Sequence, residues 1–155
     1  MKTLVVYYSR TGHTKALAQE IGTKLGAEID EIADKKPRKG VIGWLGAGKD
    51  ATSGKPTEIE FGKDASAYDL VVAGTPVWGG SMAPAIRSYL TKNKLGRTAF
   101  FCSCKAGPGK AFEEMQALAG RPVATLALKE KEAGDNAKIE DFCLCICRLR
   151  KNETK

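Results

Sequence analysis

The chain has 155 residues, of which 43% are hydrophobic and 28% are charged, as in an ordinary globular protein. This length favours one domain over residues 1–155. No apolar run approaches the roughly 20 residues of a membrane-spanning helix. The N-terminus shows no signal-peptide pattern, and the five cysteines are an odd number, which argues against a secreted disulfide scaffold. We therefore expect a cytoplasmic protein with free thiols.

The formal net charge of +7 suggests acidic or anionic partners. Basic residues cluster at 35–39 and again at 148–155. Neither cluster is interleaved with aromatic side chains, which argues against a nucleic-acid-binding surface. We expect most of this charge to be solvated, and part of it to attract an acidic partner.

The first 25 residues predict a strand, a tight loop and a helix. Residues 3–8 are apolar and rich in β-branched and aromatic side chains, as in a buried parallel strand. Residues 14–25 follow a helical period, with Leu17, Ile21 and Leu25 on one face. The loop between them therefore lies at a helix N-terminus, at the carboxyl edge of a sheet.

This first loop, residues 9–14, has the chemistry of a phosphate site. Backbone N–H groups and the positive end of the helix dipole point into such a loop. Ser9, Thr11 and Thr14 add hydroxyl donors, and Gly12 lets the backbone close around an anion. A cap and a turn need fewer hydroxyls, so we predict phosphate binding.

Two more side chains of this loop bear on the anion. His13 is the only histidine, and the sequence leaves open whether it contacts the phosphate or points to solvent. Arg10 is predicted to face solvent and to help attract the anion.

The rest of the chain continues the alternation of strands and helices. Strands are predicted at residues 27–32, 69–74, 97–102 and 122–128, and helices at 83–92, 110–118 and 137–149, with Phe112, Met115 and Leu118 facing inward. The connection at 34–62 is long, and a short helix is expected within it, packed through Trp44. Its near match to a P-loop, at residues 43–49, is rejected because Asp50 replaces the Ser or Thr that would bind Mg²⁺.

The order of elements predicts an α/β fold. Five strands with covering helices indicate an open, doubly wound parallel sheet with helices on both faces. In such a sheet a ligand binds at the carboxyl edge, where the strand order reverses. Loops 9–14, 75–80 and 102–109 all follow strands on that edge, so we expect them to form one site.

Two of these loops resemble those of a known family. Ser9-x-Thr11-Gly12-x-Thr14, directly after the first strand, resembles the FMN-phosphate loop of the flavodoxin family. The stretch Thr75-Pro76-Val77-Trp78-Gly79-Gly80 is similar to the loop that holds the isoalloxazine ring in flavodoxins and related FMN-binding quinone reductases. The resemblance implies a single-domain, five-stranded flavodoxin-like fold over most of the chain, bound FMN, Trp78 stacked on the ring and backbone near Gly79 facing N5. It implies these cofactor-binding residues: Ser9, Arg10, Thr11, Gly12, His13, Thr14, Thr75, Pro76, Val77, Trp78, Gly79, Gly80, Cys102, Ser103, Cys104, Lys105 and Gly107.

The third loop departs from the electron-carrier pattern. Those flavodoxins commonly place there a tyrosine that stacks on the outer face of the ring, whereas this chain has cysteine, serine and lysine at residues 102–105. The second aromatic is therefore missing or supplied by Trp44. The basic net charge is another departure, since many such flavodoxins are acidic.

The cysteines are interpreted as buried apolar side chains. On a helix Cys143 and Cys147 share a face and Cys145 does not, so the three thiolates cannot converge on a metal, and none is predicted. Cys102 and Cys104 lie beside the expected flavin, which leaves a redox role open, but nothing in the sequence indicates a lowered pKa.

Three functions fit these observations. The first is an FMN-binding redox protein that carries electrons between protein partners. The second is an FMN enzyme that reduces quinone-type acceptors with NAD(P)H. The third is a binding module that has kept the fold and lost the flavin. The sequence favours the first and identifies no catalytic residue.

Overall fold

The computed structural model describes residues 1–36 and 40–152, with the backbone alone at residues 40–45 and 150. Its strands are β1 (Thr3–Tyr7), β2 (Glu28–Glu31), β3 (Ala33–Asp34), β4 (Ile59–Glu60), β5 (Leu70–Trp78), β6 (Ser81–Met82), β7 (Arg97–Cys104) and β8 (Thr125–Lys129). Its α-helices are α1 (His13–Leu25), α2 (Gly40–Ser53), α3 (Pro84–Lys92), α4 (Ala111–Ala119) and α5 (Asn136–Asn152).

Five strands form one parallel sheet in the order β2-β1-β5-β7-β8. The chain moves outward from β1 to β2, then crosses back to β5 and continues to β7 and β8. The strand order therefore reverses between β1 and β5, which confirms the predicted doubly wound sheet. β2 lies at one edge of this sheet, and its sequence alternates between polar and apolar residues, as is typical of a strand that is not fully buried.

Helices cover both faces of the sheet. On one face α1 and α5 bury Leu17, Ile21 and Ile146 against alternate side chains of the central strands. On the other face α3 and α4 bury Tyr89 and Met115 against the remaining side chains. Within the described residues, no helix combines the length and apolar character needed to cross a membrane.

Several predicted boundaries were wrong. The strand predicted at 69–74 continues to Trp78 because its end pairs with the short antiparallel strand β6. The strand predicted at 97–102 continues to Cys104 because β8 pairs with it up to that residue. The strand predicted at 122–128 begins only at Thr125. Leu118, expected to face inward, is 40% exposed near the end of α4.

The long connection after β2 is an excursion from the sheet: the chain leaves at β3 and comes back beside it at β4. β3 and β4 pair antiparallel and close its base, and α2 lies between them. Thr57, near the returning end, is tied to α3 because Ser88 Oγ accepts from its N–H at 2.9 Å and donates to its carbonyl at 2.8 Å. The predicted short helix is therefore present and longer than expected. The predicted packing of Trp44 lies outside the described side chains.

Candidate functional site

A cleft of about 950 Å³ opens at the carboxyl edge of the sheet. This volume lies at the upper end of the range of ordinary ligand pockets, about 300–1,000 Å³. Segments from the three predicted loops line it, and α2 supplies a further wall. The sequence argument thus located the cleft but missed one side of it.

The loop before α1 presents an anion-binding geometry. Gly12 is the N-cap of α1 with φ of 102°, and its N–H donates to Ser9 Oγ at 3.1 Å. The first hydrogen bond of α1 runs from Ala16 N–H to Gly12 O, so the N–H groups of residues 13–15 have no partner within the helix. Arg10, Thr11, His13 and Thr14 line the cleft beside them, whereas Ser9 and Gly12 form the turn behind it.

A buried hydroxyl pair joins this loop to the centre of the sheet. Thr14 is 1% exposed, and its Oγ1 lies 2.7 Å from Ser103 Oγ on β7. Thr14 was predicted to donate to a phosphate, but its hydroxyl already has a protein partner. The two residues together fix the first loop against the end of β7.

Arg10 and Trp78 lie next to each other in the cleft wall. The Arg10 guanidinium carbon lies 5.9 Å from the centre of the Trp78 ring, within reach of a cation–π contact. Tyr8 meets the same indole edge-on, with ring centres 5.5 Å apart. Arg10 is half-buried, so the prediction that it faces solvent was wrong. Trp78 is half-buried and lines the cleft, as the sequence argument expected.

His13 lies at the rim of the cleft. Its Nε2 is 4.0 Å from Glu130 Oε2, and its side chain is 47% exposed. The sequence left open a phosphate contact or a solvent-facing position. The structure places the ring where solvent and the cleft both reach it.

The second segment, predicted as a loop over 75–80, is a β-hairpin. Val77 pairs with Met82 and Trp78 with Ser81, and Gly79 and Gly80 alone form the turn. Both glycines have positive φ, 58° and 77°, as in a type I′ turn. Pro76 to Gly80 line the cleft.

Thr75 stabilises the backbone at the base of this hairpin. Its Oγ1 accepts from Ala83 N–H at 2.9 Å and donates to Pro76 O at 2.8 Å. Its side chain is buried and does not line the cleft. Of the predicted cofactor-binding residues in this segment, Thr75 alone lies outside the cleft wall.

The end of β7 and the residues that follow it form another part of the cleft wall. Ser103, Cys104, Lys105 and Gly107 line the cleft as predicted, and Cys102 is fully buried behind them. Burial raises the pKa of both the Cys102 and the Cys104 thiols, and the Cys104 Sγ contacts Leu128 O at 3.6 Å. Little thiolate forms at neutral pH, so neither is a ready nucleophile.

The three cysteines of α5 do not all lie on one face of the helix. Cys143 is buried, Cys145 is exposed and Cys147 is half-buried. Burial raises the pKa of Cys143 to about 11. The exposure of Cys145 agrees with the helical period, which puts Cys143 and Cys147 on one face of the helix and Cys145 on another.

Six lining residues were not among the predicted cofactor-binding residues: Gly48, Lys49, Thr52, Ala106, Gly109 and Glu130. Ala106 and Gly109 belong to the predicted third loop, whereas the other four lie outside all three predicted loops. Gly48 and Lys49 belong to the segment that was rejected as a P-loop, and they reach the cleft from a helix, without a preceding buried strand. Glu130 comes directly after β8, at the same edge of the sheet as the other lining segments. The glycine-rich apolar character of α2 was the signal that it packs closely on something.

The charged side chains of the cleft wall are mostly positive. Arg10, Lys49 and Lys105 are cations, and Glu130 is the carboxylate. With His13 neutral, three positive charges against one negative charge leave an excess of two. The cleft therefore favours an anionic ligand.

No protein-family model matches the chain. Several solved structures are similar to it. A flavoprotein from Lactobacillus acidophilus NCFM in complex with FMN is 24% identical, with a TM-score of 0.71 over 91% of this chain and 97% of that one. The apo-form of the flavoprotein from the same organism is 27% identical, with a TM-score of 0.61 over 81% and 91%. Megasphaera elsdenii flavodoxin is 14% identical, with a TM-score of 0.60 over 92% and 96%.

These similarities extend over 81% or more of this chain and over 91% or more of each of the other chains, as expected for chains that share one doubly wound sheet. They confirm the fold expected from the two loop motifs. The chain is a single-domain α/β protein with the flavodoxin-like fold.

Proposed function

We propose that this protein binds FMN in the cleft and carries electrons between protein partners. One observation carries the proposal: an anion-binding loop at the start of α1 and an aromatic hairpin tip at Trp78 line the same cleft. A flavin mononucleotide has both a phosphate and a flat aromatic ring. The similar flavoprotein from Lactobacillus acidophilus NCFM was solved in complex with FMN, which supports this choice of ligand.

The first loop fits a phosphate monoester. The N–H groups of residues 13–15 at the start of α1, together with the exposed Thr11 hydroxyl, supply donors of the right kind. The cleft wall carries an excess of two positive charges, and a phosphate monoester carries about 1.5 to 2 negative charges at neutral pH. Arg10 and Lys105 would balance most of that charge.

The hairpin and the end of β7 fit the ring. Trp78 offers an indole face, and Gly79 and Gly80 keep the neighbouring wall free of side chains. Ser103 to Gly107 supply backbone groups on the other side. Bound FMN supplies one- and two-electron transfer, and the protein's part is to hold the ring, exclude water from one face and leave an edge accessible to a partner.

The proposal is tested by adding FMN to the purified ligand-free protein. We expect saturable binding with quenching of flavin fluorescence, a flavin absorption spectrum, and reduction and reoxidation without loss of flavin. Steady oxidation of NAD(P)H with a quinone by the pure protein would instead support the quinone reductase. A protein that stays colourless and takes up neither FMN nor riboflavin would support the flavin-free binding module and overturn the proposal.

A further inference from the structure

The turn at Gly79 and Gly80 is part of the cleft wall. Two other segments of the chain contact it, one at each glycine. Both glycines have positive φ, and the hairpin pairs residues immediately before and after them. A two-residue turn with positive φ at both positions is compatible with tight strand pairing, but glycine loses more conformational freedom than any other residue when it is ordered. Contacts from neighbouring segments can therefore reduce the conformational freedom of this turn before a ligand binds.

The Gly80 side of the turn is held by the start of α4. Lys110 N–H donates to Gly80 O at 2.6 Å. The backbones of Gly80 and Gly109 are so close that a Cβ on Gly109 would stand 2.4 Å from Gly80 O. The Gly80 carbonyl is therefore fixed by the β7–α4 connection.

The Gly79 side is held by α2. A Cβ on Gly79 would stand 2.7 Å from the Thr52 Cγ2 methyl and 3.6 Å from Gly48 O. The Thr52 methyl therefore lies directly against Gly79 and occupies the place where any other residue would put its side chain. Gly48 and Thr52 line the cleft beside the turn.

Thr52 is itself held in one orientation. Its Oγ1 donates to Gly48 O at 3.0 Å and to Lys49 O at 3.1 Å, and a threonine so bonded keeps one side-chain rotamer. Ala47 and Ala51 are buried on the same helix, so α2 is packed against the body of the protein at this end. The Thr52 methyl therefore has a fixed position against Gly79.

We propose that Thr52 is a positioning residue for the flavin ring: its methyl preorganises the Gly79–Gly80 turn, so that the excursion containing α2 sets how tightly the ring is held. This inference rests on the proposed function. A turn that is already ordered loses less entropy when a ligand binds, which strengthens binding without any new contact to the ligand. Because Thr52 contacts Gly79, in the segment proposed to face the ring, its expected effect is on the ring and not on the phosphate.

The test compares Thr52→Ser with Thr91→Ser in the full-length protein. Serine at position 52 keeps the hydroxyl and removes only the methyl. Thr91 is a matched control because it is exposed on α3 and its hydroxyl likewise donates to the carbonyl four residues earlier, that of Arg87, at 2.8 Å. We expect Thr52→Ser to weaken FMN and riboflavin by the same factor, roughly fourfold, as for one methyl group's packing. We expect Thr91→Ser to change neither affinity.

Two readouts in the ligand-free protein decide the same question without flavin. The NMR order parameters of the Gly79 and Gly80 amides should fall in Thr52→Ser and stay near the rigid value of about 0.85 in Thr91→Ser. Gly79→Ala should also destabilise the wild-type protein more than it destabilises the Thr52→Ser variant, because removal of the methyl makes room for the alanine Cβ.

The outcomes separate this inference from the proposed function. If the wild type binds neither flavin, the proposed function fails, whereas the order parameters and the Gly79→Ala comparison still report on the turn. If Thr52→Ser leaves the turn rigid, or weakens FMN but not riboflavin, or if Gly79→Ala costs the same with and without the methyl, Thr52 does not position the turn and the inference is wrong.

Discussion

At the scale of single residues, the three hydroxyls of the first loop have three different environments. Ser9 Oγ accepts from Gly12 N–H and stabilises the turn. Thr14 is buried and bonded to Ser103. Thr11 is exposed and lines the cleft, so it is the hydroxyl best placed to meet a phosphate. The residue type alone did not distinguish these environments.

Thr11→Val should therefore weaken FMN binding and leave riboflavin binding unchanged. A hydrogen bond to a charged group is worth about 1.5–3 kcal/mol, which corresponds to a loss of roughly tenfold or more in affinity. Fluorescence titration with both flavins measures the difference. Thr23→Val, at the other end of α1, is the control. An equal loss for both flavins would mean that Thr11 does not face the phosphate.

The Thr14–Ser103 pair should appear in the stability of the ligand-free protein. Thr14→Val or Ser103→Ala alone leaves one buried hydroxyl without its partner, so each should lower the free energy of unfolding by about 1–3 kcal/mol. Because the double variant removes both hydroxyls, its loss should be clearly smaller than the sum of the two. Urea unfolding of all four proteins measures the coupling, and strictly additive losses would contradict it.

At the scale of elements, glycines let segments from different parts of the chain approach at the cleft. A Cβ on Gly109 would meet the backbone of Gly80, and a Cβ on Gly79 would meet Thr52. At Gly80 nothing lies within 4 Å of the corresponding position, although φ there is 77°. The three positions therefore share a left-handed backbone and differ in the space around them.

Gly109→Ala should accordingly cost more stability than Gly80→Ala. Both place alanine in the left-handed region, which costs about 1–2 kcal/mol. Only Gly109→Ala also forces the β7–α4 connection away from the hairpin, which should weaken the hydrogen bond from Lys110 N–H to Gly80 O. Gly96→Ala, with open space around its Cβ position, is the control. Equal unfolding midpoints for the Gly80 and Gly109 variants in urea would refute this interpretation.

The excursion from β3 to β4 supplies a side of the cleft that the sequence did not predict. A long connection in a compact fold is often functional, and this one contributes Gly48, Lys49 and Thr52 to the cleft wall. Its base is fastened by the β3–β4 pair and by Lys35 N–H, which donates to Glu58 O at 3.0 Å. A flavin in the cleft would therefore be bordered by a segment outside the recurring strand–helix units.

At the scale of the whole molecule, some basic side chains are paired with carboxylates and others are accessible to a partner. Of the basic cluster at 35–39, Lys35 pairs with Glu60 at 3.4 Å and Lys36 pairs with Asp50. Residues 37–39 lie outside the described residues. Lys49 and Lys105 are exposed at the cleft, and no carboxylate of the described chain forms an ion pair with either. We propose that an acidic redox partner docks over the cleft.

Electron transfer should then depend on salt and on the sign of the oxidant's charge. After loading with FMN and reduction, reoxidation by anionic ferricyanide should slow as ionic strength rises, because the Debye length falls from about 30 Å at 0.01 M to about 8 Å at 0.15 M. A cationic ruthenium ammine should show the opposite trend. Lys49→Gln and Lys105→Gln should each reduce the effect more than Lys35→Gln. If the stopped-flow reoxidation rates do not change with ionic strength, the positive charge at the cleft only aids solubility.

The sequence alone determined the features that depend on local pattern. Apolar runs of the right length predicted four of the five parallel strands, an alternating pattern predicted β2, and the helical period predicted α1 and its buried face. Because parallel strands end on one edge, those elements also placed the cleft and brought residues 9–14, 76–80 and 103–107 to it. Each inference needed only neighbouring residues and the topology that they allow.

The tertiary structure decided what depends on contacts between distant segments. Thr14 and Ser103 are 89 residues apart, so no local pattern shows that their hydroxyls bond to each other. The approach of Thr52 to Gly79 requires α2 to fold over the hairpin, and the extensions of β5 and β7 arise from pairing with β6 and β8. Where a side chain meets its partner is set by packing across the whole chain, because buried polar groups and close backbone approaches are satisfied only there.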